Sequence, residues 1–447
     1  MRNKRLFAAG VLLAGSMLAV AGYAGAAMAD DMPQELQDAL AGKFKGTKVT
    51  AFGAFADADE VKFNQDVKPF EDATGITIQY ESSKQFEATI ATRVDAGNAP
   101  DLADFPQPGL MGNFAKAGKL IDLTSFMTQD YLKGQYLQSW LDMGTKPGPD
   151  GKPTMIGLWE RVNVKSLVWY PKKAFDAAGY KVPTTWDEMT KLQDQIVADG
   201  DTPWCIGIES GDATGWPATD WIEEVMLRTT SLDNYDKWTT GQLKFTSPEV
   251  KHAAEVVGNI WLNDKYVFGG RKAIVSTSFG DAPAPMFATP PKCWLHAQGN
   301  FIVSFFPKDK PLQAGVDYDF FYLPPIDPQY GRPVEVGGDI WSMFKDRPEV
   351  RAVMEWFSRA EHLKVWLASG GTIAPQKDVQ LDWYGNDIDR GVAKILGDAT
   401  SVRFDGSDLM PGEVGTGSFW KQMTAWIAGS EDLDTALKNI DASWPSK

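Results

Sequence analysis

From Lys48 onward the apolar positions alternate between two periods. Lys48–Phe55 (KVTAFGAF) is a short β-leaning run, and Asp57–Ala73 carries Val61, Val67 and Phe70 at helical intervals until Thr74-Gly75 stops it. Ile76–Tyr80 predicts a second strand, Phe86–Ala96 a second helix closed by Gly97-Asn98, and Leu102–Phe105 a third strand before the turn PQPG. Strands alternating with helices imply an α/β unit with a parallel sheet and crossover helices.

The alternation resumes further on. Thr185-Trp186-Asp187-Glu188 fits a capping box, with Thr185 as N-cap and Glu188 as its return partner, opening a helix to about Ala198. Trp204–Ile208 predicts a strand, and Thr219 or Asp220 can cap a helix ending near Arg228. Ser247-Pro248 opens a helix to Leu262, with proline in its favoured first position. Phe301–Phe306 and Phe320–Leu323 predict strands, Pro348–Ala368 one long helix, and a last helix starts near Glu431. The chain has no internal repeat and no low-complexity linker, so two α/β units are expected to form lobes joined by several crossings.

The first 29 residues break this pattern. Arg2, Lys4 and Arg5 precede an apolar run from Leu6 to Val20, and Ala27-Met28-Ala29 follows. That order predicts a secretory signal peptide cleaved between Ala29 and Asp30. The run is short for a membrane-spanning helix, and no cysteine follows it to carry a lipid anchor. An exported protein without an anchor is expected.

Composition narrows the function. Removing residues 1–29 takes three basic residues and no acids, leaving 41 Lys and Arg against 59 Asp and Glu, a formal charge of −18. Nucleic acids and anionic membrane surfaces need basic patches, so neither is an expected partner. Two cysteines, Cys205 and Cys293, read as one disulfide in an oxidising compartment; two unrelated buried thiols are the other reading. The three histidines, His252, His296 and His362, make no metal-ligand spacing with each other or with cysteine, and no P-loop, G-x-S-x-G elbow or dinucleotide fingerprint is present. No metal and no cofactor are expected. A glycoside hydrolase stays open as an alternative, because Glu209 with Asp212, or Asp281 with Asp339, could supply an acid/base pair.

Aromatic residues are the positive signal. Among 17 tryptophans, two stand five apart in the turn-rich stretch SGDATGWPATDW at 210–221. Trp221 shares a helical face with Val225 and is expected in the core. Trp216 belongs to no stripe and is expected over a cleft, where its face can cover the C–H groups of a sugar ring while neighbouring carboxylates and amides take the hydroxyls.

Five stretches in one order carry a resemblance. NVKSLVWYPKKAFDAAGYKVPTTWDEM (163–189), TIATRVDAGNAPDLADF (89–105) and VGGDIW (336–341) resemble elements of the extracellular solute-binding proteins of ABC sugar importers. PWCIGIESGDATGWPATDW (203–221) and RFDGSDLMPGEVGTGSFW (403–420) are most similar to its α-glucoside branch. The resemblance covers essentially all of the mature chain; the Pro-rich segment 271–295 departs from the pattern and puts contacts there in doubt.

The resemblance implies a two-lobed periplasmic-binding-protein fold with a ligand cleft between the lobes and three hinge crossings, near Glu160, Gln298 and Gly337. The first lobe would hold 46–160 plus 298–336, and the second 161–297 plus 337–447. It also implies a monomeric receptor, not an enzyme, that hands its sugar to ABC permease subunits in the inner membrane. A receptor for another small polar ligand, such as a polyol, is the neighbouring alternative. Open α/β sheets bind ligands beyond the carboxyl ends of their strands, so the candidate contacts are Phe55, Asp104, Gln107, Trp216, Asp220, Asp281, Gly338 and Asp339. Gly338 is expected to let ligand approach the backbone, and Asp339 interrupts an apolar strand where a carboxylate needs a partner.

Overall fold

The computed structural model describes residues 32–309 and 311–445. The expected signal segment and its cleavage point lie outside them. No helix among the described residues is long and apolar enough to cross a membrane.

Three parallel strands, β1 (Lys48–Gly53), β2 (Thr77–Ser82) and β3 (Leu102–Phe105), alternate with helices Ala58–Thr74 and Phe86–Asp95 in the expected order. Phe63, Val67 and Phe70 form the buried face of the first helix, whereas Val61 points outward at 55% exposure. A short hairpin, β4 (Thr145–Pro147) and β5 (Pro153–Met155), precedes β6 (Leu158–Val164) and β7 (Leu167–Tyr170). The remaining strands are β8 (His296–Ala297), β9 (Asp319–Tyr322), β10 (Pro333–Met343) and β11 (Ser401–Phe404).

The central strand is β10. Its second half pairs antiparallel with β3, its first half parallel with β11, and β6 runs antiparallel along it with Asp339 opposite Arg161. The register shifts between Asp339 and Ile340, a local irregularity that bends strands and re-aims side chains. The smaller sheet β8-β7-β9 lies between two hydrophobic clusters. Side chains alternate across a strand, so Val168 and Tyr170 enter one cluster while Leu167 and Trp169 enter the other.

Those clusters define the two lobes. The first gathers residues mostly from Leu36 to Trp169 and from Val334 to Phe404, with Cys205, Met286, Cys293, Ile302, Phe306 and Tyr322; the second gathers mostly Val168 to Ile274 and Met410 to Ile440, with Trp294, Leu295, Phe321 and Leu323. The segment from Val350 to Phe404 packs in the first cluster. The cause is local: Pro348–Phe357 packs on the N-terminal helix Gln34–Leu40, where Glu355 accepts the Leu36 N–H at 2.7 Å.

Other elements differ for identifiable reasons. Trp204–Ile208 forms only isolated pairings, Trp204 with Val267 and with Leu295. Asn300–Phe305 is a 3-10 helix rather than a strand, with Phe301 and Ile302 buried, and the Asn300 side chain accepts the Val164 N–H at 2.6 Å. A run of apolar residues does not distinguish the two by period. The helix from Pro348 stops at Phe357, where Asp378 accepts the Ala360 N–H; a 3-10 turn and a helix at Lys364–Ser369 follow. Thr185 caps Trp186–Ala198 as expected, but Glu188 returns to Thr184, one residue early.

Cys205 and Cys293 are bridged, with Cα atoms 5.5 Å apart. The bridge ties the segment after Pro203 to β8, beside the Cys205 N–H donating to the Leu295 carbonyl.

Candidate functional site

A cavity of about 290 Å³ opens between the two clusters. One wall comes from β6 and the residue after it, where the alternation RVNVK brings Arg161, Asn163 and Lys165 to the cavity, with Gly337, Gly338 and Asp339 of β10 beside them.

Arg161 is fixed on every side. Its Nε donates to Asp339 Oδ2 at 2.5 Å, and Nη1 lies 3.0 Å from Asp59 Oδ2. The guanidinium carbon is 4.4 Å from the ring centres of both Phe55 and Trp366. Burial alone would lower its pKa, but Asp339 and Asp59 more than offset that and hold it above the usual value. Burial raises Asp339 despite the nearby cation. A guanidinium held this way presents donors at a fixed angle.

Lys165 is pinned similarly. Its ammonium sits 2.8 Å from Asp220, contacts Asp405, and lies 5.4 Å from the Trp216 ring centre. Asp220, Glu335 and Asp405 bring ligand atoms within 4.8 Å of one another, and the lysine already occupies the cation's place on two of them.

Another part of the lining is aromatic. Trp216 meets Phe279 at 5.2 Å and Phe301 at 5.9 Å between ring centres, with Phe305 and Trp420 also lining the space. Trp216 is not in a loop: it is the first residue of helix Trp216–Thr229, after Gly215 at φ +116°. A β-carbon on Gly215 would stand 2.4 Å from the Trp420 carbonyl oxygen, so glycine is required there. Starting the helix at Trp216 puts Thr219 and Asp220 inside it, which removes Asp220 from the N-cap. Trp221 is buried against Trp204 and Trp261, as the helical face predicted.

Of the eight candidate contacts, Phe55, Gln107, Trp216, Asp281, Gly338 and Asp339 line the cavity. Asp104 and Asp220 do not. Asp104 is fully buried behind Gly53 and Tyr80, where burial first and then Asp339 and Glu160 push its pKa far up. Asp220 faces Lys165 from behind the wall. Gly338 lines the cavity, yet a β-carbon there would meet the Arg161 carbonyl oxygen at 2.4 Å and the Trp159 ring. The neighbouring strand, not a ligand, demands that glycine. Arg161, Asn163, Lys165, Glu87, Phe279, Phe301 and Trp420 escaped the sequence reading; the alternation in RVNVK was the available signal for the first three.

Sequence and fold together match known proteins. The family model for bacterial extracellular solute-binding proteins matches residues 51–363. The chain belongs to this family. It is a family of binding proteins, not of enzymes. An osmoprotective compounds-binding protein, GgtB of Synechocystis, is 44% identical over 398 residues, covering 89% of this chain and 92% of the relative. The α-glucosides-binding periplasmic protein AglE of Rhizobium meliloti is 42% identical, covering 90% and 88%. Among solved structures, the bacterial solute receptor AcbH superposes with a TM-score of 0.76 at 19% identity, over 89% of this chain and 98% of that one. Maltose-bound MalE3 of T. maritima gives 0.69 at 18%, over 89% and 98%. The family's two-lobed α/β fold is the fold of this chain.

Proposed function

We propose that this protein is a periplasmic receptor that captures an α-glucoside, or a similar di- or oligosaccharide, between its lobes and delivers it to an ABC importer. The observation that carries the reading is that the aromatic group Trp216, Phe279 and Phe301 and the polar row Arg161, Asn163 and Asp339 line one cavity. An aromatic face buries the apolar side of a pyranose, and the polar row serves its hydroxyls. The binding residues are Phe55, Gln107, Trp216, Asp281 and Asp339, with Arg161 and Asn163 added.

The names of the two relatives support a sugar or a related solute. The osmoprotectant relative favours a second reading, a receptor for a smaller polyol-type solute in the same cavity. The working form is exported by removal of residues 1–29, carries no lipid, acts as a monomer and docks on its permease in the inner membrane.

A thermal-shift panel over maltose, trehalose, monosaccharides and polyols tests this. A ligand that binds only the native state raises its melting temperature. A shift confined to glucosides supports the first reading, one confined to polyols supports the second, and no shift with any of them contradicts both.

A further inference from the structure

The cations of the cavity wall are already engaged. Lys84 sits 2.9 Å from Asp57, Arg161 is held by Asp59 and Asp339, and Lys165 by Asp220 and Asp405. These are the three cations among the described lining residues, against eight carboxyls. Four of those carboxyls, Glu87, Glu209, Asp281 and Asp408, have no cation within 4.0 Å among the described residues. The lining therefore carries more carboxyl groups than cations.

The unmet hydrogen-bonding atoms lean the same way. Gln107 Oε1, Asn163 Oδ1 and Asp59 Oδ1 are buried acceptors without a hydrogen-bond partner, whereas Arg161 Nη1, the one donor of the wall without a hydrogen bond of good geometry, still lies 3.0 Å from Asp59 Oδ2. All four residues are at most 7% exposed. Gln107 is oriented by its Nε2, which donates to Glu87 at 3.0 Å and leaves its oxygen without a hydrogen-bond partner. A buried acceptor without a donor costs free energy until a ligand or water donates to it. A hydroxyl both donates and accepts, and an ammonium only donates; a carboxylate or phosphate oxygen only accepts. An anion here would face acceptors it cannot satisfy and a surplus of carboxyl groups.

We propose that this cavity selects a donor-rich glycoside without negative charge, neutral or ammonium-bearing, and rejects sugar phosphates and uronates. The proposal rests on the sugar-receptor reading and narrows it.

The test uses the disaccharide bound in the panel, trehalose or maltose, with its 6-phosphate and its 6-amino-6-deoxy form, titrated calorimetrically into the exported chain. The neutral and amino sugars should bind within about threefold of each other, and the phosphate about tenfold or more weaker in low salt. That gap should narrow in about 0.5 M salt, where exposed charges are screened. Phosphate binding equal to the neutral sugar overturns the proposal and leaves the sugar-receptor reading standing. Rejection of amino and phosphate forms alike also overturns it, because size at that position then decides. Binding of neither disaccharide overturns proposal and reading together.

Discussion

Arg161 on β6 and Asp339 on β10 stand opposite each other across adjoining strands, Nε to Oδ2 at 2.5 Å, with side chains 5% and 6% exposed. The pair joins two segments 178 residues apart and sets the polar wall of the cavity. Removing one charge leaves the other buried with less compensation, which typically costs about 3–5 kcal/mol. Asp339→Asn should therefore lower both ligand affinity and the stability of the ligand-free protein. A melt and a titration on the variant check this; unchanged stability would mean that Asp59 alone suffices for Arg161.

The two tryptophans of SGDATGWPATDW should separate. Trp216 is half-buried at the cavity, and Trp221 is 6% exposed in the core. Trp216→Ala should weaken sugar binding by about 2 kcal/mol or more, as for an aromatic anchor, with a small effect on the ligand-free melt. Trp221→Ala should cost about 3 kcal/mol of ligand-free stability as a large-to-small core change. Calorimetry and thermal melts on both variants decide it.

Gly211, at φ +61°, lines the cavity from the second lobe, and a β-carbon on it would stand 3.0 Å from the Lys84 carbonyl oxygen of the first. Gly97 has a similar φ of +77° and no neighbour within 4 Å. Both alanine variants should pay the left-handed backbone cost of about 1–2 kcal/mol in stability. Gly211→Ala alone should also weaken sugar binding, since its β-carbon would crowd Lys84 where both line the cavity. Equal affinities for the two variants would remove this contact from ligand capture.

Asp66 accepts the Trp366 N–H at 2.9 Å inside the first lobe, and burial raises its pKa from 3.8 to about 8. A raised acid binds its proton more tightly folded than unfolded. Its contribution is complete below about pH 4 and is lost as pH rises toward about 8. Asp66→Asn keeps an acceptor without a charge and should flatten that part of the stability curve. Urea melts across this range check it; an unchanged slope would place the titration elsewhere.

The Cys205–Cys293 bridge closes a sequence separation of 88 residues. A loop of that length is worth about 4–5 kcal/mol at most in the chain-entropy picture. Reduction under native conditions should lower the melting temperature, and denatured, unreduced protein should show no free thiol on titration.

What the sequence revealed follows from the range of the forces involved. The strands Lys48–Gly53 and Leu102–Phe105 and the helix after Thr185 are written in local periods and caps, and they stand where expected. The start of the helix at Trp216 depends on Gly215 fitting under the Trp420 carbonyl, two hundred residues away, and no local signal carries that. The same is true of the Arg161–Asp339 pair and of the aromatic wall, where Phe279 and Phe301 meet Trp216 only after folding. Asp104 falls within a strand and Asp220 within a helix, the first buried beside Gly53 and Tyr80 and the second engaged by Lys165, contacts that no local period shows.

Calorimetric titration of residues 30–447 with trehalose and maltose, with the sugars analysed afterwards, tests the central claim most directly. The account predicts saturable binding at one site per chain with at least one of the two and recovery of intact disaccharide. Release of glucose, or no binding of either sugar, would contradict it.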